Sequence, residues 1–266
     1  MSATETPHTP LKPLVSDKRK AAPLSQGKKH GRLAIYSHSQ TGRRGGVNQD
    51  AVLTTPCFLG VADGVGGGSH GEVASQVALE HCARLDNLNA DTVAAQVKSA
   101  DQKVQAAIAE LSDLPGATTL AAVWLKNCRG WHCHAGDARI YLMRPDWRGR
   151  YAIVWATADQ TYENMGIELP ANGNSDDPAC MLGTGTLGEP EVAPVTLRSR
   201  DVLLLCSDGL HRFLPDNAIR RIVANGLKQK DRLDAICRRL ARAAVSNGSR
   251  DDISIVLAFR RPWINL

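Results

Sequence analysis

The sequence predicts an α+β fold in which antiparallel sheets are flanked by helices. Strand-like segments occur in clusters joined by short turns, and helical segments occur in two pairs between those clusters. The strict strand–helix alternation that a doubly wound dinucleotide-binding fold requires is absent from the sequence. With 266 residues, 43% of them hydrophobic, the chain is long enough to bury a sizeable core.

Short apolar or alternating runs bounded by turn residues predict the strands. They are Leu33–His38, Asp50–Thr55, Cys57–Ala62, Ala117–Lys126, Arg129–Ala135, Ala138–Arg144, Tyr151–Thr157, Asp201–Cys206 and Ile253–Phe259. Apolar residues at helical spacing predict helices over Glu72–Leu85, Asp91–Leu111, Asp216–Leu227 and Asp231–Val245, with Asp91 as the N-cap of the second. The segment Thr161–Pro190 is rich in Gly, Asn, Asp and Pro, and it predicts a long loop of the kind that forms functional lids or stays disordered.

The positive charge of the chain lies at its start. The chain has 32 Lys and Arg against 27 Asp and Glu, and residues 1–32 hold seven of the basic and two of the acidic side chains, which leaves 25 of each elsewhere. Residues 1–31 also show no apolar periodicity, so we expect a disordered basic arm there and a single catalytic domain over residues 32–262. A neutral body argues against a nucleic-acid partner.

The sequence also predicts a cytoplasmic protein without a membrane span. No stretch approaches the roughly 20 apolar residues of a span, and the start of the chain lacks the apolar region of a signal peptide. Seven scattered cysteines, an odd number, predict buried reduced thiols. Cys128 and Cys133, with the histidines beside Cys133, lie in a predicted strand and lack a second cluster of suitable spacing, so a zinc site is not expected.

Several aspartates lie at the ends of predicted strands. Asp63 and Asp208 each end an apolar run and precede a glycine, and Asp137 lies at the turn between two strands. A carboxylate at the end of a buried strand is held rigidly, and an adjoining glycine leaves the backbone carbonyl approachable. Further acids come before predicted strands: Asp50, Asp251 and Asp252. A single Asp-Gly pair is usually only a turn, but several at strand ends suggest a shared site.

If these strand ends converge, repulsion between the carboxylates requires cations. A ligand set made only of oxygen suits Mg²⁺ or Mn²⁺ better than zinc. Two such ions about 3.5–4 Å apart can acidify a water and stabilise an in-line displacement at phosphorus. The residues therefore predict a two-metal phosphate chemistry.

Other phosphate chemistries fit the sequence less well. A cysteine-nucleophile phosphatase needs a Cys and an Arg with five residues between them in a glycine-rich loop, and the sequence has no such glycine-rich loop. The glycines after Asp63 are not followed by the Gly-Lys-Ser/Thr of a nucleotide-binding P-loop. A two-metal nuclease or phosphodiesterase would use the same ions, but the neutral body lacks a groove that could follow a phosphate backbone.

Six short motifs occur in one order between about Leu33 and Arg260. They are Asn48-Gln49-Asp50, Val61-Ala62-Asp63-Gly64-Val65-Gly66-Gly67, Gly116-Ala117-Thr118-Thr119, Gly136-Asp137-Ala138-Arg139, Ser207-Asp208-Gly209-Leu210 and Ser249-Arg250-Asp251-Asp252-Ile253-Ser254. Each motif is weak alone. Together, in this order, they resemble the metal-dependent serine/threonine protein phosphatases of the type 2C class, in a compact bacterial form.

This resemblance implies a four-layer α-β-β-α sandwich with metals in a cleft at one end of the two sheets. It also implies hydrolysis of phosphoserine and phosphothreonine by a water that two Mn²⁺ or Mg²⁺ ions activate. The implied partner is a phosphorylated protein, either a serine/threonine kinase or its target, and we expect the chain to be a monomer. Thr161–Pro190 falls where the family carries a variable flap that borders the cleft.

The resemblance assigns metal-binding roles residue by residue. Asp63 would bridge both ions, and the Gly64 carbonyl would bind one of them. Asp208 and Asp251 would hold the other ion, and Asp50 would reach the ion on the Gly64 side directly or through water. Further residues are expected at or beside this centre: Asp137, which with Asp208 would fit a weaker third ion; Asn48, Gln49 and Asp252 next to the ligands; and Thr118 and Thr119 behind them.

Two departures from the family bear on activity. Gln49 stands where the family usually has Glu, and a neutral amide brings no charge to the metal. Gly45 stands where the family usually has a phosphate-binding Arg, so we expect Arg44 or Arg43 to hold the substrate phosphate as a bidentate guanidinium. These departures leave open an alternative function, a weakly active or inactive relative that binds phosphoproteins and regulates a kinase pathway.

Overall fold

The structure is a computed structural model that describes residues 33–43, 45–65, 70–171 and 173–262, and the backbone of residues 26–30. Its strands are β1 (Gln26–His30), β2 (Leu33–Gln40), β3 (Asp50–Thr54), β4 (Phe58–Asp63), β5 (Leu120–Lys126), β6 (Arg129–Ala135), β7 (Arg139–Pro145), β8 (Tyr151–Ala156), β9 (Val192–Thr196), β10 (Val202–Cys206) and β11 (Ile253–Arg260). Its helices are α1 (Gly71–Cys82), α2 (Ala90–Ala109), α3 (Tyr162–Met165), α4 (Asp208–His211), α5 (Asp216–Lys228) and α6 (Leu233–Ser246).

The strands form two antiparallel sheets packed face to face. The first sheet has the order β1-β2-β11-β10-β7-β8, and the second has the order β3-β4-β5-β6-β9. Helices α5 and α6 pack on the outer face of the first sheet, and α1 and α2 pack on the outer face of the second. This helix–sheet–sheet–helix layering confirms the predicted α-β-β-α sandwich.

Apolar side chains fill the space between each pair of adjacent layers. Leu59 and Val123 of the second sheet meet Leu205 and Val256 of the first, and all four are buried. Strand β10 is buried along its whole length because its sheet is covered on both faces. That covering explains why β10 reads in the sequence as an unbroken apolar run.

The predicted strands and longer helices are present, but two strands were missed and both lie at sheet edges. Strand β9 contains Pro194 and is the last strand of the second sheet, a position where a strand tolerates proline. Strand β1 is polar and basic, as edge strands often are, and pairs antiparallel with β2 from Gln26↔Ser37 to His30↔Leu33. The expectation of a disordered arm over residues 1–31 is therefore wrong for residues 26–30, because their backbone pairs with β2. Residues 1–25, 31 and 32 lie outside the described residues.

Two local predictions need correction. The N-cap of α2 is Asn89 and not Asp91: the Asn89 side chain accepts a hydrogen bond from the Thr92 backbone N–H, and the Thr92 hydroxyl lies 3.2 Å from the Asn89 nitrogen. The predicted loop Thr161–Pro190 contains α3, which Thr161 caps, and β-bridges from Thr161 to Pro178 and from Thr118 to Leu182.

Across the described part of the chain, no helix combines the length and apolarity needed to cross a bilayer.

Candidate functional site

An acidic cleft of about 400 Å³ lies where strands of both sheets end. Asp63 ends β4, Asp137 lies in the turn between β6 and β7, Asp208 begins α4 directly after β10, and Asp251 precedes β11. Although these four aspartates are far apart in sequence, their side chains line one cleft. The structure therefore brings together the strand ends whose convergence the sequence predicted.

Two threonines hold the backbone at Asp63. The Asp63 carbonyl accepts hydrogen bonds from the Thr119 N–H at 2.8 Å and from the Thr118 hydroxyl at 2.9 Å. The Asp63 N–H in turn donates to the Thr119 hydroxyl oxygen at 3.2 Å. Both threonines are buried, as expected, and they fix the position from which the Asp63 carboxyl enters the cleft.

The glycines after Asp63 and Asp208 are required by close packing. A Cβ at Gly64 would lie 2.3 Å from the Gly71 carbonyl oxygen, at the start of α1. A Cβ at Gly209 would lie 2.0 Å from the Asp252 carbonyl oxygen. Each Asp-Gly pair thus marks a place where two backbone segments touch beside the cleft, and the interpretation as a simple turn does not apply to either.

The cleft carboxyls repel one another. Desolvation raises the pKa of Asp63 well above its usual range, and repulsion by Asp50, Asp208 and Asp137 raises it further. Desolvation, followed by repulsion from Asp208, raises the pKa of Asp137 to about 6, although Arg212 opposes the shift. A cation in the cleft would relieve this repulsion, so the charge pattern favours a positive ligand.

Asp50 lies beside Asp63 in the ladder between β3 and β4 and borders the adjoining groove between β3 and α1. Its Oδ2 accepts a hydrogen bond from the Ser207 hydroxyl at 2.7 Å. Its Oδ1 is buried, and no donor among the described residues reaches it. Burial raises the pKa of this carboxyl to about 7. An orphaned carboxylate oxygen at this depth fits a position next to a metal-bound water.

Asp252 fastens the loop between β2 and β3 to the start of β11. Its Oδ1 accepts a hydrogen bond from the Gly42 N–H and its Oδ2 accepts one from the Gln49 N–H, both at 2.7 Å. The Gln49 carbonyl accepts from the Gly64 N–H at 3.1 Å, which joins the same loop to the Asp63 segment. Asn48 takes part as well, since its side-chain oxygen accepts from the Asp50 N–H at 3.0 Å. These three residues therefore connect the segments that carry Asp50, Asp63 and Asp251.

Among the described residues, the arginine that lines the cleft is Arg212 and not Arg43. Arg43 is exposed and is not among the residues lining the cleft, and Arg44 lies outside the described residues. Arg212, which the sequence did not single out, lines the cleft instead. Its Nη2 donates to Asp137 Oδ2 at 2.7 Å, and its Nε lies 3.1 Å from Asp208 Oδ2. The i, i+4 spacing of Asp208 and Arg212 on a helical turn was the sequence signal for this pair.

The donor set suits hard divalent cations. The cleft offers carboxylates and the Gly64 backbone, all oxygen donors of the kind that Mg²⁺ and Mn²⁺ prefer. Within the described ranges, no three acidic, histidine or cysteine side chains are clustered closely enough to hold an ion by themselves. Mg²⁺ commonly keeps several waters and takes only one or two carboxylates, so a pair of aspartates with a carbonyl and waters meets its needs.

Comparisons with known proteins agree with the fold and the motifs. The family model described as Protein phosphatase 2C matches residues 37–258. The chain is 30% identical over 224 residues to the serine/threonine protein phosphatase PstP of Mycobacterium tuberculosis, a match that covers 79% of this chain and 42% of PstP. It is 26% identical to the protein phosphatase PhpP of Streptococcus pneumoniae, over 74% of this chain and 83% of PhpP.

A solved structure is similar as well. The catalytic domain of serine threonine protein phosphatase PstP, in complex with two manganese ions, superposes with a TM-score of 0.69 at 28% identity, covering 85% of this chain and 97% of that domain. This chain spans less than half the length of the full PstP sequence. From the family match over most of its length, the chain belongs to the protein phosphatase 2C family.

Proposed function

We propose that this chain hydrolyses phosphoserine and phosphothreonine in proteins. The observation that carries the proposal is the convergence of four aspartates from separate segments, with the Gly64 backbone, in one cleft. Membership of the protein phosphatase 2C family supports it, as do relatives named serine/threonine protein phosphatase.

We propose that the cleft holds two Mn²⁺ or Mg²⁺ ions. Asp63 would be shared between them, the Gly64 carbonyl would face one, and Asp208 and Asp251 would face the other. When bound, such ions supply an acidified water for attack on phosphorus and neutralise charge on the phosphate. The two manganese ions named for the PstP catalytic domain support the number and kind of ion.

The remaining residues of the cleft prepare it for that chemistry. Asp50 pairs with Asp63 in the β3–β4 ladder, and the Ser207 hydroxyl holds its carboxyl in one orientation. We propose that the Asp50 carboxyl accepts a proton from a water bound next to Asp63. Flap residues Asn174, Asp177 and Pro178 also line the cleft. We propose that they contact the peptide that flanks the phosphorylated residue, and that Arg44 or Arg43 steadies the phosphate.

The proposed substrate is a cytoplasmic phosphoprotein, either a serine/threonine kinase or its target, and the chain is proposed to act as a monomer. Membership of the protein phosphatase 2C family supports a phosphoprotein as substrate. The proposal of a kinase as partner comes only from the family resemblance in the sequence. Incubating the chain with candidate autophosphorylated kinases and following phosphate release tests this part separately.

Hydrolysis of a phosphothreonine peptide tests the proposal directly. We expect phosphate release with Mn²⁺, its loss on chelation, and a loss of at least about 10²-fold in Asp208→Asn, because that variant removes an anionic ligand. Asp113→Asn changes an exposed carboxyl in a loop after α2 and serves as the matched control, with activity unchanged. An active chelated enzyme, or full activity in Asp208→Asn, would contradict the proposal.

A binding role without turnover remains the second candidate, and Gln49 is the residue that favours it. Its side-chain amide lies against Gly71, close to Gly64, where it adds no charge to the cleft. If the chain binds a phosphothreonine peptide but releases no phosphate at any Mn²⁺ concentration, this second candidate replaces the first.

A further inference from the structure

Arg212 occupies the position between two of the cleft aspartates. Its Nη2 donates to Asp137 Oδ2 at 2.7 Å, and its Nε lies 3.1 Å from Asp208 Oδ2. The neighbouring His211 donates from Nε2 to the Asp137 carbonyl at 2.8 Å, so both residues at the end of α4 hold the turn that carries Asp137. The guanidinium therefore lies where Asp137 and Asp208 would otherwise offer their oxygens to a further cation.

The same guanidinium also reaches the flap. Its Nη2 donates a second hydrogen bond, at 2.7 Å, to the backbone carbonyl of Asp176, so both hydrogens of that nitrogen are used. The Arg212 side chain is only 37% exposed and has three acceptors, two of them charged. Charge-assisted bonds of a planar guanidinium in this geometry hold it more firmly than a lysine would be held.

We propose that Arg212 is a built-in cation that replaces a third metal ion between Asp137 and Asp208 and fastens the flap over the cleft. This inference rests on the proposed function in assuming that the cleft binds divalent ions. Asp137 is then a partner of Arg212 and not a metal ligand, in contrast to the role that the family resemblance implied for it. The positive charge at this corner becomes independent of metal concentration, and the flap is connected to α4 through it.

The number of Mn²⁺ ions bound per chain tests the inference without measuring turnover. We expect two ions in the natural chain and one additional, weaker ion in Arg212→Gln, because the substitution removes the positive charge that lies between the Asp137 and Asp208 carboxylates. The double variant Arg212→Gln/Asp137→Asn should again bind two ions per chain. Arg150→Gln is the matched control: Arg150 pairs with Asp146 at the same i, i+4 spacing in an exposed turn outside the cleft, and its removal should leave the number at two.

Asp137→Asn in the natural background keeps the test decisive if Arg212→Gln folds poorly. If Arg212 fills the position between Asp137 and Asp208, Asp137→Asn still binds two ions. If a third metal ion fills that position, Asp137→Asn binds one ion fewer than the natural chain. A third ion in the natural chain that disappears in Asp137→Asn would overturn the inference, as would an unchanged number in a folded Arg212→Gln. If the chain binds no Mn²⁺, both the proposed function and this inference are contradicted. If the chain binds two ions and hydrolyses phosphate with Mn²⁺, but Arg212→Gln does not change the number of bound ions, only this inference is contradicted.

Hydrogen exchange of the metal-free protein tests the connection to the flap. We expect the amides of residues 173–177 and of Ala179 to exchange about tenfold faster in Arg212→Gln, because one hydrogen bond to the flap backbone is lost. Amides of strand β5, which is buried from Leu120 to Leu125, should be unaffected and serve as the internal control. Equal exchange of the flap in both proteins would overturn this part of the inference.

Discussion

The chemistry of the cleft begins with individual carboxyl groups that are costly to bring together. Asp63 is repelled by three other aspartates, and the raised pKa values of Asp50, Asp63 and Asp137 show how strongly this part of the fold disfavours negative charge. Such a cluster lowers the stability of the protein unless a cation balances it. The arrangement is therefore better explained by ion binding than by the stability of the fold.

The pH dependence of stability gives a prediction for Asp50. Burial raises its pKa from 3.8 to about 7, so between these values the folded protein keeps a proton that the unfolded chain releases. The stabilising contribution of protonated Asp50 is complete below about pH 4 and disappears as the pH rises through about 7. Since Asn cannot ionise, metal-free Asp50→Asn should become more stable relative to the natural chain as the pH rises from 4 to 8.

Urea unfolding at several pH values in the presence of a chelator measures this difference. Asp113→Asn is the control, and its unfolding free energy relative to the natural chain should not vary over the same range. A difference between Asp50→Asn and the natural chain that stays constant from pH 4 to 8 would show that Asp50 ionises normally.

At the residue level the sequence could predict the acids but not the arginine. Asp63 and Asp208 stand out because each follows an apolar run and precedes a glycine that close packing requires. Arg212 follows α4, a helix of one turn, so its i, i+4 spacing from Asp208 is a weak signal, and its other partner Asp137 is 75 positions away. Only the fold brings these two side chains together.

Among the elements, the loop between β2 and β3 depends on a single carboxylate. Asp252 accepts the backbone N–H groups of Gly42 and Gln49 and thereby holds the segment that leads into Asp50. This role could not be predicted from the sequence, because the two partners are 210 and 203 positions away from Asp252. The family resemblance implied a position for Asp252 beside the proposed metal ligands, but it did not identify the groups that Asp252 binds.

Replacing that carboxylate should loosen the loop. In Asp252→Ala two N–H groups lose a charged acceptor, so we expect the free energy of unfolding to fall by about 1–3 kcal/mol. Urea unfolding measures the change. Glu189→Ala is the control, since Glu189 is an exposed residue that pairs with Lys98 and should change the unfolding free energy by less than about 0.5 kcal/mol. Equal effects of the two substitutions would mean that Asp252 does not support the loop.

The elements that sequence patterns missed share a physical cause. Strands β1 and β9 lie at sheet edges, where one side of the strand is unpaired and the residues need not be apolar or β-branched. Helices α3 and α4 are four residues long, shorter than the window in which a helical period can be recognised. The central strands were predictable because burial on one or both faces dictates their composition.

For the whole molecule, the two packed sheets place the cleft. Asp63 ends a strand of the second sheet, and Asp208 and Asp251 adjoin β10 and β11 of the first, so the two sheets must pack face to face for the acids to meet. The apolar layer between the sheets, which includes Leu59 and Leu205, fixes that relation. The layering of sheets and helices follows from general packing rules, whereas the strand order and the spacing of the carboxylates belong to this particular fold.

Diffraction from crystals grown with Mn²⁺, measured with anomalous scattering, tests the two-metal cleft most directly. We expect two manganese peaks, one near the Gly64 carbonyl and one near Asp208 and Asp251, with Asp63 between them and Arg212 still bonded to Asp137. Manganese absent from this cleft, or bound only at other surfaces, would contradict a metal-dependent phosphatase at this site.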